Sequence, residues 1–264
     1  MKQILCFGDS NTYGYKPDKS GRFSWGVRWT SILAEKFGRD VNVIEEGLCG
    51  RTTIFDDVFR VGRNGSESFP AILESHTPLD LIIIMLGTND CKTVYGATAG
   101  IIGKGVETLL EQVKKYSPDS DILLISPIYL GENVYKEGFD VEFSKESIQL
   151  SKNLEAVYEK IALKNNIHFL RAQDFVSCSE TDQEHLDAQA HKIFADAVYK
   201  KTEIREIRMR AGMTQGVFAS YMGVSKKTVE AWECGRTHPT GPAFRLLDIL
   251  ASEDLDETEF VVAK

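Results

Sequence analysis

Short apolar runs alternate with longer amphipathic stretches from residue 3 to about residue 201. The runs QILCFG (3–8), VNVIE (41–45), DLIIIML (80–86), DILLIS (121–126) and IHFL (167–170) are rich in Ile, Leu and Val. They lack in–out alternation, which predicts strands buried on both faces. Between them VRWTSILAEKFG, GVETLLEQVKKYS and SIQLSKNLEAVYEKIALKNN carry apolar residues at helical spacing. Strands alternating with helices imply right-handed βαβ crossovers and a parallel sheet with helices on both sides. The expected fold class is α/β: a three-layer α/β/α sandwich on a five-stranded parallel sheet. Periodicity leaves the strand order open.

A last amphipathic stretch, LDAQAHKIFADAVYKK, closes the sandwich and runs without Pro or Gly into TEIREIRMRAG. The boundary is expected near Lys201–Glu203, giving domains 1–202 and 203–252 and an acidic tail, 253–264. Composition supports the division. The 264 residues are 42% hydrophobic, enough for a packed core, and the net charge is −8, which disfavours non-specific binding to nucleic acid or anionic membrane by the protein as a whole. Yet residues 203–252 carry seven Lys/Arg against five Asp/Glu, a locally basic segment in an acidic protein. No run is long enough to span a bilayer, and Met1-Lys2-Gln3 leads directly into a strand without signal-peptide features. Five scattered cysteines form neither a CxxC pair nor a disulfide framework, so a reducing cytoplasm is expected. There are no internal repeats.

Polar clusters punctuate the strands at GDSN (8–11), EEGLCGRTT (45–53) and LGTND (86–90), and ETDQEHLD (180–187) precedes the last helix. Parallel strands deliver their carboxyl ends to one sheet edge, so these clusters can meet. Together they hold the parts of an acyl-transfer site. Ser10 is the candidate nucleophile, inert until a base takes its proton. His185 is the candidate base, and Asp182, three residues earlier, can fold back to fix its tautomer. The Ser10 N–H, the Gly50 N–H and the Asn89 amide are the candidate oxyanion donors. Taken singly, each cluster is ordinary turn or capping chemistry; four in register with the strands are not.

These blocks resemble the SGNH (GDSL-type) hydrolases, with Ser10 in GDS, Gly50 in GLCGRTT, Asn89 in GTND, and Asp182 and His185 in DQEH. ILCFGDSNTYGY, VRWTSILAEKFG, VIEEGLCGRTTIFDD and LDLIIIMLGTND look most like the aryl esterase/acyltransferase branch. The resemblance implies a flavodoxin-like sandwich, no metal or cofactor, and hydrolysis of short-chain acyl esters through an acyl-serine. It also implies water or an alcohol as acceptor, and oligomerisation. One departure is SETDQEHLD, where relatives more often carry a glycine inside the Asp-x-x-His element. Trp25, in the loop before a helix, is expected at the substrate pocket, whereas Trp29 reads as core. Asn11 and Arg51 flank catalytic positions, which puts them at the pocket or behind the catalytic groups. Cys49 and Cys91 read as inert thiols, and His76, His168, His191 and His238 show no metal spacing.

The segment TQGVFASYMGVSKKTVEAWECGRTHP resembles an XRE/Cro-type helix-turn-helix over about 203–252. Ala219 suits a close helix crossing, Gly223 a left-handed turn, and Val229 and Trp232 the packing of the second helix on the first. The resemblance implies that Thr214 caps the first motif helix and Gln215 touches a phosphate. Ser225, Lys226, Lys227 and Thr228 would open the recognition helix, with Arg236 on the backbone. The bland alternative is a small helical module that pairs with itself. Two functions follow: an esterase with an appended DNA-binding or dimerising domain, or a transcriptional regulator whose hydrolase-like domain senses an ester or its product. The complete set of catalytic residues favours the first.

Overall fold

The structure, a computed structural model, describes residues 1–233, 237 and 239–252; Arg236, His238 and the acidic stretch 253–264 lie outside the described residues. Five strands, β1 (Lys2–Gly8), β2 (Val41–Gly47), β3 (Leu81–Met85), β4 (Asp121–Ser126) and β5 (His168–Arg171), form one sheet in the order β2-β1-β3-β4-β5. Every neighbouring pair is parallel. The order reverses between β1 and β3, the switch point at which open α/β sheets bind ligands. The helices are α1 (Ser10–Tyr13), α2 (Trp29–Phe37), α3 (Gly65–His76), α4 (Ala99–Tyr116), α5 (Lys145–Asn165), α6 (Ala188–Arg210), α7 (Gln215–Tyr221), α8 (Lys226–Glu233) and α9 (Pro242–Ser252).

The uniform apolar character of the strands has a direct cause. Leu5, Phe7, Ile82, Ile84, Ile122 and Leu124 pack into one core with α3, α4 and α5, while the alternate residues Ile4, Cys6, Ile83 and Leu123 are equally buried. Phe7 stacks on Phe69 of α3 at 4.2 Å between ring centroids. On α2, Trp29 meets Phe194 of α6 edge-on at 5.3 Å. Polar residues stop the helices where the pattern stops. Asn64, Thr98 and Ser144 accept backbone N–H groups as N-caps of α3, α4 and α5, each worth about 1 kcal/mol. Asn166 ends α5 in the left-handed conformation.

The chain divides into two compact units, Met1–Ala197 and a second beginning at Val198, so the division falls inside α6. The second unit has its own core, built from Ile204, Ile207, Phe218, Val229, Trp232 and Leu250 among others. Thr214 caps α7 by accepting the Val217 N–H. Ala219 is buried, and Gly223 turns the chain at φ 66° between α7 and α8.

Candidate active site

β1 ends at Gly8, and Asp9 caps α1 by accepting the Asn11 N–H at 2.9 Å, so Ser10 stands at the first helical residue on the carboxyl edge of the sheet. The loop between β5 and α6 returns to this point. Asp182 accepts the N–H groups of Glu184 and His185 at 3.1 and 3.0 Å. Its other oxygen lies 2.6 Å from His185 Nδ1. On the far side of the ring, Nε2 is 2.9 Å from Ser10 Oγ. A carboxylate on Nδ1 keeps the proton there and leaves Nε2 to accept from the serine hydroxyl. All three side chains are buried.

Asn11 holds the returning loop. Its Oδ1 accepts the Leu186 N–H at 2.9 Å and its Nδ2 donates to the Glu184 carbonyl at 3.3 Å. Its own carbonyl accepts from Trp29 Nε1 at 3.1 Å. Within the loop Gln183 adopts φ 66°, the left-handed region that favours glycine. The Gln183 side chain is used there, its Oε1 accepting the Asn133 N–H at 3.2 Å.

The charges around the imidazole set its proton affinity. Burial pushes the His185 pKa down, but the Glu184 charge and the hydrogen bond and charge of Asp182 outweigh it, and the net shift is upward. Burial pulls Asp182 up, yet the His185 hydrogen bond and charge hold it below its ordinary value. Glu184, buried beside the ring, is pushed up to about 7. Asp9 and Asp90, both fully buried, rise to about 6 for the same desolvation reason.

Gly50 and Asn89 face Ser10 and His185 across a cavity of about 350 Å³. Gly50 has φ 83°, and a Cβ there would lie 2.8 Å from the Arg60 guanidinium. The Asn89 amide donates one N–H to the Arg51 carbonyl at 3.1 Å and carries a second. Asp90 fixes the loop that holds Gly50 by accepting the Thr53 N–H at 3.0 Å, together with a short bond from the Thr53 hydroxyl.

The pocket expectation for Trp25 is corrected, and of the two places open to Asn11 and Arg51 the structure shows the one behind the cavity wall, not the pocket itself. Trp25 is 57% exposed, stands with its ring 5.7 Å from the Arg28 guanidinium carbon, and is not among the cavity-lining residues. Asn11 is buried behind the site, committed to residues 184 and 186. Arg51 is buried too: it donates to the Gly8 carbonyl at 3.0 Å and to the Glu46 carbonyl, and lies 4.2 Å from the Phe7 ring centroid. It ties the tips of β1 and β2 together. Burial lowers its pKa to about 10, still charged at neutral pH. The cavity wall is instead Tyr15, Glu184, Lys92, Phe139, Asp140 and Arg60, among others. Tyr15 rests its ring 5.0 Å from that of His185, and Lys92 is paired with Glu142 at 2.5 Å. None of these stood out in the sequence, because residues that line a cavity from separate loops share no spacing or periodicity. Cys49 also lines the cavity, but burial raises its thiol to about 11, far from thiolate chemistry. His191 sits in the core, lowered by burial to about 4, and accepts the Trp29 N–H at 3.3 Å.

In the second unit Lys226 and Lys227 are exposed at the start of α8. Ser225 caps that helix, its Oγ accepting the Thr228 N–H at 3.1 Å and lying 2.8 Å from the Thr228 hydroxyl. The Gln215 amide donates to Glu233 at 2.7 Å. Glu233 is buried and also pairs with Arg208 at 2.5 Å, because a carboxylate in that core needs donors on both oxygens. Among the described residues no helix is long and apolar enough to cross a membrane.

A hydrogen-bonded Ser–His–Asp line stands at the carboxyl edge of a sheet in flavodoxin order, an arrangement of the acylhydrolase class to which sequence comparison also points. Residues 6–193 match the GDSL-like Lipase/Acylhydrolase family, and the chain belongs to that family. Residues 204–248 match a Helix-turn-helix family. The aryl esterase of M. smegmatis is 35% identical, covers 76% of this chain and 98% of its own, and superposes with a TM-score of 0.72. Est24, a carbohydrate acetylesterase from Sinorhizobium meliloti, is 34% identical with the same coverages and TM-score, 76%, 98% and 0.72. Antitoxin HigA-2 of Vibrio cholerae is 44% identical over 48 residues, 18% of this chain. The chain spans 46% of that antitoxin's length. The protein is thus a GDSL-type esterase with a C-terminal helix-turn-helix domain.

Proposed function

We propose that the protein hydrolyses short-chain acyl esters through an acyl-serine formed on Ser10. The observation that carries this reading is the 2.9 Å contact between Ser10 Oγ and His185 Nε2, with Asp182 on the opposite nitrogen. In the first step Ser10 Oγ attacks the ester carbonyl while Nε2 takes its proton. The tetrahedral oxyanion is received by the N–H groups of Ser10 and Gly50 and the second N–H of Asn89. The imidazolium, stabilised by Asp182, then protonates the departing alcohol oxygen. In the second step water loses a proton to Nε2, attacks the acyl carbon and releases the carboxylic acid, restoring Ser10. An alcohol in place of that water gives transacylation. Support for a small acyl group comes from the likeness to a carbohydrate acetylesterase.

The test is a panel of acetate, butyrate and octanoate esters against wild type and Ser10→Ala. Ser10→Ala should lose at least about 10⁴-fold in kcat, with acetate preferred over octanoate. Unchanged hydrolysis in the variant overturns the reading.

We further propose that residues 203–252 form a separate DNA-binding module. Support comes from the match over 204–248 and from Lys226 and Lys227, exposed at the amino end of α8, where side chains enter a major groove in this motif.

A further inference from the structure

Glu184 is an acidic group of the cavity wall that the reaction above leaves unused, and it adjoins His185 in the chain. The Glu184 side chain is only 9% exposed, and it lines the cavity together with Ser10 and His185. Among the described residues its carboxylate receives no hydrogen bond. Its Oε2 lies 3.8 Å from His185 Nδ1, too far for a hydrogen bond, and that nitrogen is already held by Asp182 at 2.6 Å. Of the other charges of the wall, Lys92 is matched to Glu142 at 2.5 Å and Arg60 to Asp57 at 2.9 Å; Lys19 and Asp140 also line it. The Glu184 main chain is fixed at both ends, its N–H on Asp182 at 3.1 Å and its carbonyl receiving the Asn11 amide at 3.3 Å. A rigidly mounted carboxylate with no protein donor, its side chain largely buried and its oxygens opening on the cavity beside Ser10 and His185, is placed to accept a hydrogen bond from a molecule bound there.

We propose that Glu184 is a specificity-determining residue that accepts a hydrogen bond from an O–H or N–H group carried by the ester substrate near its reacting carbonyl. This rests on the acyl-transfer reading above and narrows it: the substrates are esters of hydroxylated or aminated alcohols rather than plain alkyl esters. Burial raises the Glu184 pKa to about 7, against the lowering influence of His185 and Lys92 and reinforced by Asp140 and Asp182. A hydroxyl suits either protonation state, since it can both donate and accept.

Four acetates separate the possibilities in the full-length protein. Propyl acetate has no polar group at the position in question, 2-methoxyethyl acetate can only accept, 2-hydroxyethyl acetate can donate, and 2-(dimethylammonio)ethyl acetate donates from a cation. Wild type should favour at least one donor ester over the methoxyethyl ester by about tenfold or more in kcat/KM. In Glu184→Leu that ratio should fall to near one, and in Glu184→Gln, whose amide oxygen still accepts, to an intermediate value. The relative sizes of the hydroxyl and ammonium ratios identify the donor. Wild-type ratios near one for both donor esters overturn the proposal. So does an equal loss on all four esters in Glu184→Leu, which would place the residue's effect on His185 instead. If Ser10→Ala still hydrolyses the esters, the reaction reading fails separately. Glu184 is then decided by saturation-transfer NMR of 2-hydroxyethyl and propyl acetates on Ser10→Ala, with and without Glu184→Leu. Discrimination that depends on Glu184 sustains the proposal, and equal binding refutes it.

Discussion

Asn11→Ala isolates the clamp that holds the base beside the nucleophile. The substitution removes two buried hydrogen bonds across 173 and 175 residues of sequence. It strands the Leu186 N–H and the Glu184 carbonyl away from water. Leaving a buried backbone group unsatisfied costs about 1–3 kcal/mol, and the carbonyl, with two lone pairs, suffers less than the N–H. The expected loss is roughly 2–4 kcal/mol. In a unit of this size each kcal/mol shifts Tm by about 2–4 °C, so the drop should be roughly 5–15 °C. The same change loosens the 182–186 loop, and a displacement of His185 of about 1 Å costs on the order of 100-fold in rate. Asn11→Asp separates the effects, since it keeps the acceptor for Leu186 and loses only the donor. Calorimetry and kcat/KM on the preferred ester, at a temperature where all variants are folded, give the two numbers. An Asn11→Ala protein with wild-type Tm and kcat/KM would refute the clamp and the placement of the loop with it.

The other predictions are briefer. The pH profile of kcat/KM should rise with pH through an ionisation above the ordinary histidine value, because the raised His185 pKa keeps Nε2 protonated to higher pH. Asp182→Asn should move that midpoint down while lowering the plateau by about 10⁴-fold; a midpoint that stays put in the variant contradicts the assignment. Gly50→Ala should lose about 10- to 100-fold in kcat/KM, because φ 83° strains any residue with a Cβ and moves the donor N–H; ester kinetics check it. Arg208→Met should destabilise the helix-turn-helix unit by about 3–5 kcal/mol, since Glu233 loses its buried cation, as followed by denaturant unfolding. Lys226→Ala and Lys227→Ala should each reduce the salt dependence of DNA binding by about one counterion in the log–log slope, read by gel retardation at rising salt.

The strands could be read because the sheet buries both faces, leaving runs such as LIIIM with no polar interruption to obscure them. Their order could not, because it depends on which helices cover which face, and local periodicity carries no record of that choice. The polar clusters at strand ends pointed to Ser10, Gly50, Asn89 and His185 for a related reason: parallel strands all empty onto one edge. Trp25 misled because an aromatic in a loop has many places to rest, and here it lies near Arg28 rather than over the cavity. Glu184 was illegible. Carboxylates ordinarily sit in water, and only the left-handed turn at Gln183 and the Asn11 clamp turn this one inward.

The separation between Ser10 and His185 also bears on the protein's manufacture. The base is synthesised 175 residues after the serine, when all five strands have been made. Until then the nascent polypeptide displays only an ordinary alcohol, unable to form adducts with acyl donors around it. Topology therefore withholds the base until the whole sheet has been synthesised.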